Sequence, residues 1–117
     1  MWTYLLHILH QFIKEKGVRP EGGKTFIYIP KITDYIMDEL WRRNGGKTLY
    51  DEEEDIYEDL KIAEGAGFLN LSERHIIITE QQLKAINEFV ENLKNNPLRS
   101  SSPLLDEYLK RIEALIT

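Results

Sequence analysis

The spacing of apolar residues changes several times along this chain, and each change predicts an element. Trp2, Leu5, Leu6, Leu9, Phe12 and Ile13 recur at helical spacing and Gly17 follows them, so residues 2–16 read as an amphipathic helix. In GGKTFIYIP, aromatic and β-branched residues alternate instead, which predicts a short strand between Gly23 and Pro30. Ile32, Tyr35, Ile36 and Leu40 restore the helical period from about Lys31 to Arg43, and Asn44-Gly45-Gly46 closes it. A third helix is expected to open at Thr48, with Asp51 as its capping-box partner, or at Asp51, with Glu54 in that role. Under either start, Ile56, Leu60 and Ala63 form its inward stripe.

Gly65 and Gly67 end that helix. FLNLS and HIIIT then flank Glu73 and Arg74, the pattern of two strands joined by a very short loop. Thr79 to Gln82 supplies a T-x-x-Q start for another helix carrying Leu83, Ile86, Val90 and Leu93. NNPLRSSSP interrupts before a last helix, in which Ser102 can cap and Pro103 fits the first turn. Leu105, Tyr108, Leu109, Ile112 and Leu115 form its stripe. No internal repeat is visible.

The segment IYEDLKIAEGAGFLNLSERHIIITEQQ resembles winged helix-turn-helix proteins: a third helix, a glycine turn, a wing hairpin and a threonine that opens the next helix. The order of elements over residues 2–95 is similar to that family as well. The resemblance implies a mainly α fold with a small antiparallel β-hairpin wing and additional C-terminal helices. Residues 1–97 would form the winged-helix domain, and 98–117 a linker and C-terminal helix. Many relatives regulate transcription as homodimers, with the third helix in the major groove and the wing on the phosphate backbone; others bind proteins only. The resemblance therefore also implies a dimer contact through residues 103–116, against the alternative that this helix packs onto its own domain.

A length of 117 residues suits one domain, and 42% hydrophobic with 30% charged residues describes a soluble globular chain. The absence of cysteine excludes disulfides, zinc–cysteine sites and thiol catalysis, and fits a reducing cytoplasm. The apolar run Trp2 to Leu9 is broken by Thr3 and His7 and lacks a basic leader, so no signal peptide or membrane span is expected. His7 and His10 share a helix face but want a third ligand, and read as a surface or interface pair and not a metal site. No nucleophile elbow, phosphate loop or dinucleotide fingerprint occurs. The expectation is a protein that is not an enzyme and needs no cofactor.

Charge is divided along the chain. Residues 1–50 hold eight Lys or Arg and five acids, whereas residues 51–64 hold eight acids and a single lysine, Lys61. A helix carrying that surplus repels a polyanion, because affinity for DNA comes largely from cations that displace counterions at phosphates. Carboxylates in the first turn complement the helix dipole, but Asp55, Glu58, Asp59 and Glu64 lie further along and leave a solvated acidic face. Two readings follow. In the first, a regulator of the winged-helix type meets double-stranded DNA by its wing and basic helix ends, through Lys24, Lys31, Arg42, Arg43, Lys47, Arg74 and His75. In the second, an interaction module docks a basic protein through Asp55, Glu58 and Asp59 and does not bind DNA.

Overall fold

Among the described residues the predicted periods become five helices and one three-stranded antiparallel sheet. A computed structural model describes residues 2–46, 50–96 and 101–116 of the chain. Helix α1 (Trp2–Lys16) has the predicted bounds but is more deeply enclosed than an amphipathic stripe requires. Tyr4, Leu5, Leu6, His7, Ile8 and Leu9 are six consecutive buried residues. Three later helices, α3 (Glu53–Gly65), α4 (Glu80–Lys94) and α5 (Pro103–Ile116), pack against it. A helix covered on several sides is apolar on several sides. Each large aliphatic side chain taken out of water there contributes roughly 1.5–3 kcal/mol.

Strand β1 (Lys24–Tyr28) leads directly into α2, a continuous helical segment over 29–43. It is α-helical over Ile29–Asp34, π-helical over Tyr35–Leu40, and closes with the turn Trp41–Arg43. The helix opens two residues before the expected Lys31 because Pro30 fits the first turn, where a missing N–H costs nothing. Tyr28 caps it without a side-chain bond; the Ile29 amide, an orphan donor of that first turn, donates instead to the Arg74 carbonyl at 2.8 Å.

Helix α3 corrects both expected starts. Its N-cap is Glu52, which makes no side-chain capping bond, so Asp51 does not fill that role and Thr48 lies outside the described residues. Carboxylates crowding one end leave the dipole complemented without a serine- or threonine-type cap. Ile56, Leu60 and Ala63 are buried as the stripe predicts. The helix ends in a Schellman turn: Phe68 N–H donates to the Ala63 carbonyl at 3.0 Å and Gly67 N–H to the Glu64 carbonyl at 2.9 Å. Gly67 sits at φ +87°, which glycine adopts without a Cβ penalty.

Strands β2 (Asn70–Ser72) and β3 (His75–Thr79) form the expected hairpin, with β2 shorter than the run from Phe68 suggested. The loop places Glu73 at φ +35°. Strand β3 is central, pairing Ile76 with Ile27 and Ile77 with Phe26. Thr25, Ile27, Ile76 and Ile78 enter the core, while Phe26, Tyr28, His75 and Ile77 occupy the outer face. Thr79 then opens α4 with a complete capping box: its hydroxyl accepts from Gln82 N–H at 3.2 Å, and Gln82 Oε1 accepts from Thr79 N–H at 3.0 Å.

Helix α5 begins at Pro103, and the Ser102 carbonyl accepts from Asp106 N–H at 3.0 Å. This helix lies against α1, and Leu109 is buried there. The side chains of Leu105, Tyr108, Ile112 and Leu115 lie outside the described ones. Among the described residues no helix is long and apolar enough to cross a membrane.

Candidate functional site

Helix α3 turns its aliphatic stripe inward, which forces Glu53, Glu54, Asp55, Tyr57, Glu58 and Lys61 outward. A groove of about 430 Å³ separates this face from the start of α2, where Ile29 and Thr33 form the opposite wall. Within it, Lys61 Nζ lies 4.7 Å from the centre of the Tyr57 ring, a cation–π distance that keeps the lysine on its own helix. Glu53, Glu54, Asp55 and Glu58 make no ion pair among the described residues. The groove therefore combines a tyrosine 40% exposed with uncompensated carboxylates.

The remaining acids of α3, Asp59 and Glu64, are bonded to adjoining segments. Asp59 is half-buried and accepts from the Tyr50 hydroxyl at 2.6 Å. Burial, then this carboxylate, pushes the Tyr50 hydroxyl well above its ordinary range. Glu64 turns toward the hairpin and accepts from Leu71 N–H at 2.6 Å. The expectation of one solvated surface is corrected for Asp59, which is half-buried, while Glu64 is exposed as expected and bonded to the hairpin. Asp59 and Glu64 flank the aliphatic stripe on its two sides, and each meets a donor from an adjoining segment. Tyr57 was missed as a surface residue; its signal was an aromatic on the polar side of the helix, next to Ile56.

The basic candidates divide into groups. Lys31 in the first turn of α2 is exposed, and the Ile29–Arg74 bond holds the exposed hairpin tip beside that turn. His75 follows on β3 and packs on Tyr28 with ring centres 5.3 Å apart. Lys31, Arg74 and His75 consequently gather at one end of the sheet. Lys24 is at the other end of β1, opposite Thr79. Arg42 is bonded to Asp38 at 2.5 Å, and Lys47 lies outside the described residues.

Arg43 closes a clamp between the ends of α1 and α2. It donates to both Glu15 oxygens, the Nη1–Oε2 distance being 2.9 Å, and reaches Glu39 at 3.5 Å. Glu15 also accepts from the Tyr35 hydroxyl at 2.9 Å, and Lys16 bonds Glu39 at 2.9 Å. The Arg43 guanidinium first, and the Tyr35 and Gln11 bonds after it, pull the Glu15 carboxyl down to about 2 against a smaller desolvation effect. Burial and Glu15 push the Tyr35 hydroxyl up. The same carboxylate holds Arg43 more firmly charged, so the guanidinium is already matched within the molecule.

The histidine pair is also rearranged. His7 is fully buried and meets Phe89 edge-on, with ring centres 6.0 Å apart, which corrects its reading as a surface residue. Enclosure of α1 by its neighbours accounts for this. Desolvation, followed by the charges of Lys94 and His10, lowers its pKa from 6.5 to about 4. His10 is half-buried, with Nδ1 2.9 Å from Asn87 Oδ1. Among the described residues no group of three or more His, Asp or Glu is arranged to hold a metal ion.

A second and larger groove, about 530 Å³, lies between the outer edge of β1, the end of α1 and α2. Its walls include Phe12, Val18, Phe26 and Tyr35, with Asp34, Asp38 and Glu39 on the α2 side and Lys16 and Lys31 near them. Both grooves are open to solvent along one side. No protein-family model, curated protein or solved structure matches the chain.

Proposed function

We propose that this chain is an interaction module of the winged-helix type that presents the outward carboxylates of α3 to a basic protein surface. The helix order, the hairpin between α3 and α4 and the β1-β3-β2 sheet support the winged-helix part of this reading. The observation that carries the docking part is the contrast in charge use. Glu53, Glu54 and Glu58 are solvated around Tyr57 and Asp55 is exposed on the same helix, whereas Arg42 and Arg43 are matched by Asp38, Glu15 and Glu39. Long-range attraction of a cationic partner and a central tyrosine anchor are what such a surface supplies.

Fluorescence anisotropy with a lysine-rich helical peptide, run beside a random DNA duplex, tests the proposal. The peptide is expected to bind, weaken with salt and be released by Glu54→Lys with Glu58→Lys. Binding that these reversals leave unchanged overturns the assignment to α3.

A second reading has its own support. Lys31, Arg74 and His75 converge beside the hairpin tip, where a wing would meet a phosphate backbone. Under that reading the duplex is retained at about 50 mM salt, is lost steeply as salt rises, and is released by Arg74→Glu. A homodimer through α5 would use the outer side of that helix, where Leu104 is 81% exposed.

A further inference from the structure

We propose, resting on the docking reading of α3, that its groove against α2 is a seat for one arginine of the partner. The guanidinium stacks on Tyr57 in the place held by Lys61, which makes Lys61 an internal competitor for the docking site.

Glu58 lies three residues before Lys61 on the same helix, a spacing at which the two can pair. Lys61 nonetheless makes no ion pair among the described residues. Its Nζ lies instead over the Tyr57 ring, 4.7 Å from the centre. The ring face therefore already carries a cation, while Glu58 is left unmatched among the described residues. Glu53 and Glu54 stand one turn before Tyr57, so three carboxylates and one ammonium surround the ring. Ile29 and Thr33 of α2 form the facing wall.

That imbalance of charge favours a second cation in the groove, but the ring it would meet is covered. Lys61 is exposed, and a lone cation–π contact is weak at an exposed site, so the lysine can rotate away. Arginine gains most from the exchange. Its planar guanidinium can stack on an aromatic face while its N–H groups fork onto a carboxylate, here Glu54 or Glu58. A compact ammonium on the ring leaves Glu58 open, as Lys61 itself does. The aliphatic stem of the arginine would run along Ile29, which is half-buried on the facing wall.

The test titrates the lysine-rich helical peptide, with its central lysine kept or replaced by arginine, onto the full chain at about 0.15 M salt, where remote charges are screened. Arginine should tighten binding about threefold. Lys61→Ala should tighten the arginine peptide by about threefold again, because the ring is uncovered. Lys84→Ala removes the same charge from an exposed position on α4 outside the groove and should leave binding nearly unchanged. By NMR, the ring current of Tyr57 should hold the Lys61 ε-methylene protons upfield in the free chain, and saturation with the arginine peptide should return them to their ordinary position. No preference for arginine, no tightening by Lys61→Ala, equal tightening by Lys84→Ala, or Lys61 protons unmoved at saturation overturns the proposal. Release of the peptide by Glu58→Lys in those cases leaves the docking reading of α3 standing, whereas no binding of either peptide to the wild-type chain defeats both.

Discussion

The Leu71 amide donates to the Glu64 carboxylate at 2.6 Å, so the end of α3 seals the outer edge of β2. Glu64→Ala should cost about 1 kcal/mol, the scale of a partly solvated charge-assisted bond, and Glu64→Gln should cost less because an acceptor persists. Urea unfolding measures both. The alanine variant should also associate at high concentration in sedimentation runs, since its edge amide is bare.

Acid should weaken the fold in two separable steps. His7 is held neutral in the folded chain down to about pH 4, while its unfolded counterpart takes up a proton below 6.5. Unfolding is therefore favoured as pH falls through that window, by on the order of 3 kcal/mol at its foot. His7→Leu should flatten the stability profile between pH 6.5 and 4. Glu15 acts lower: its folded carboxyl titrates at about 2 against an ordinary 4.5, so its contribution is full above 4.5 and disappears toward 2. Glu15→Gln should remove that lower step and leave the upper one.

At the start of α4, one glutamine serves three segments. Gln82 completes the box with Thr79, accepts from Asn70 Nδ2 at 2.9 Å, and donates to the Gly67 carbonyl at 3.2 Å. Thr79→Ala should cost about 1 kcal/mol, as cap deletions do. Gln82→Ala should cost at least as much and raise amide exchange in β2 as well as in α4, read by hydrogen-exchange mass spectrometry.

The clamp at the ends of α1 and α2 predicts a modest, salt-sensitive effect. Arg43→Ala should lower the midpoint of thermal unfolding by a few degrees at most, because the side chains of both Arg43 and Glu15 are partly solvated. The loss should shrink as ionic strength rises. An unchanged midpoint at low salt would show that the pair contributes nothing to stability.

Much of this architecture was legible in the sequence because period and punctuation agree. The bounds of α1, the stripe of Ile56, Leu60 and Ala63 and the Thr79–Gln82 box follow from local signals that tertiary packing did not override. His7 was misread because a polar residue usually marks a solvated face; the flanking run of Leu5, Leu6, Ile8 and Leu9 was the sign of a helix enclosed on several sides. The charge of Arg43 was legible, but its partner Glu15 is 28 residues away and no local pattern announces it. Arg42 and Asp38 differ, being four apart on one helix, a pairing the spacing allows to be foreseen. The closed edge of β2 could not be read, since it depends on which strand lies in the middle.

The π-helical stretch Tyr35–Leu40 makes segment length itself a variable. An i→i+5 ladder advances each residue by less than the roughly 100° of an α-helix, so Tyr35 and Arg43 come round to the same side, the guanidinium 5.6 Å from the ring centre. Deleting one residue within that stretch would let an ordinary helix re-form with Arg43 still on the side of Tyr35 and Glu15, since seven steps of about 100° nearly complete two turns, whereas an ordinary helix over the full length would swing Arg43 away by about 80°. Phase, more than helicity, is what those six residues preserve.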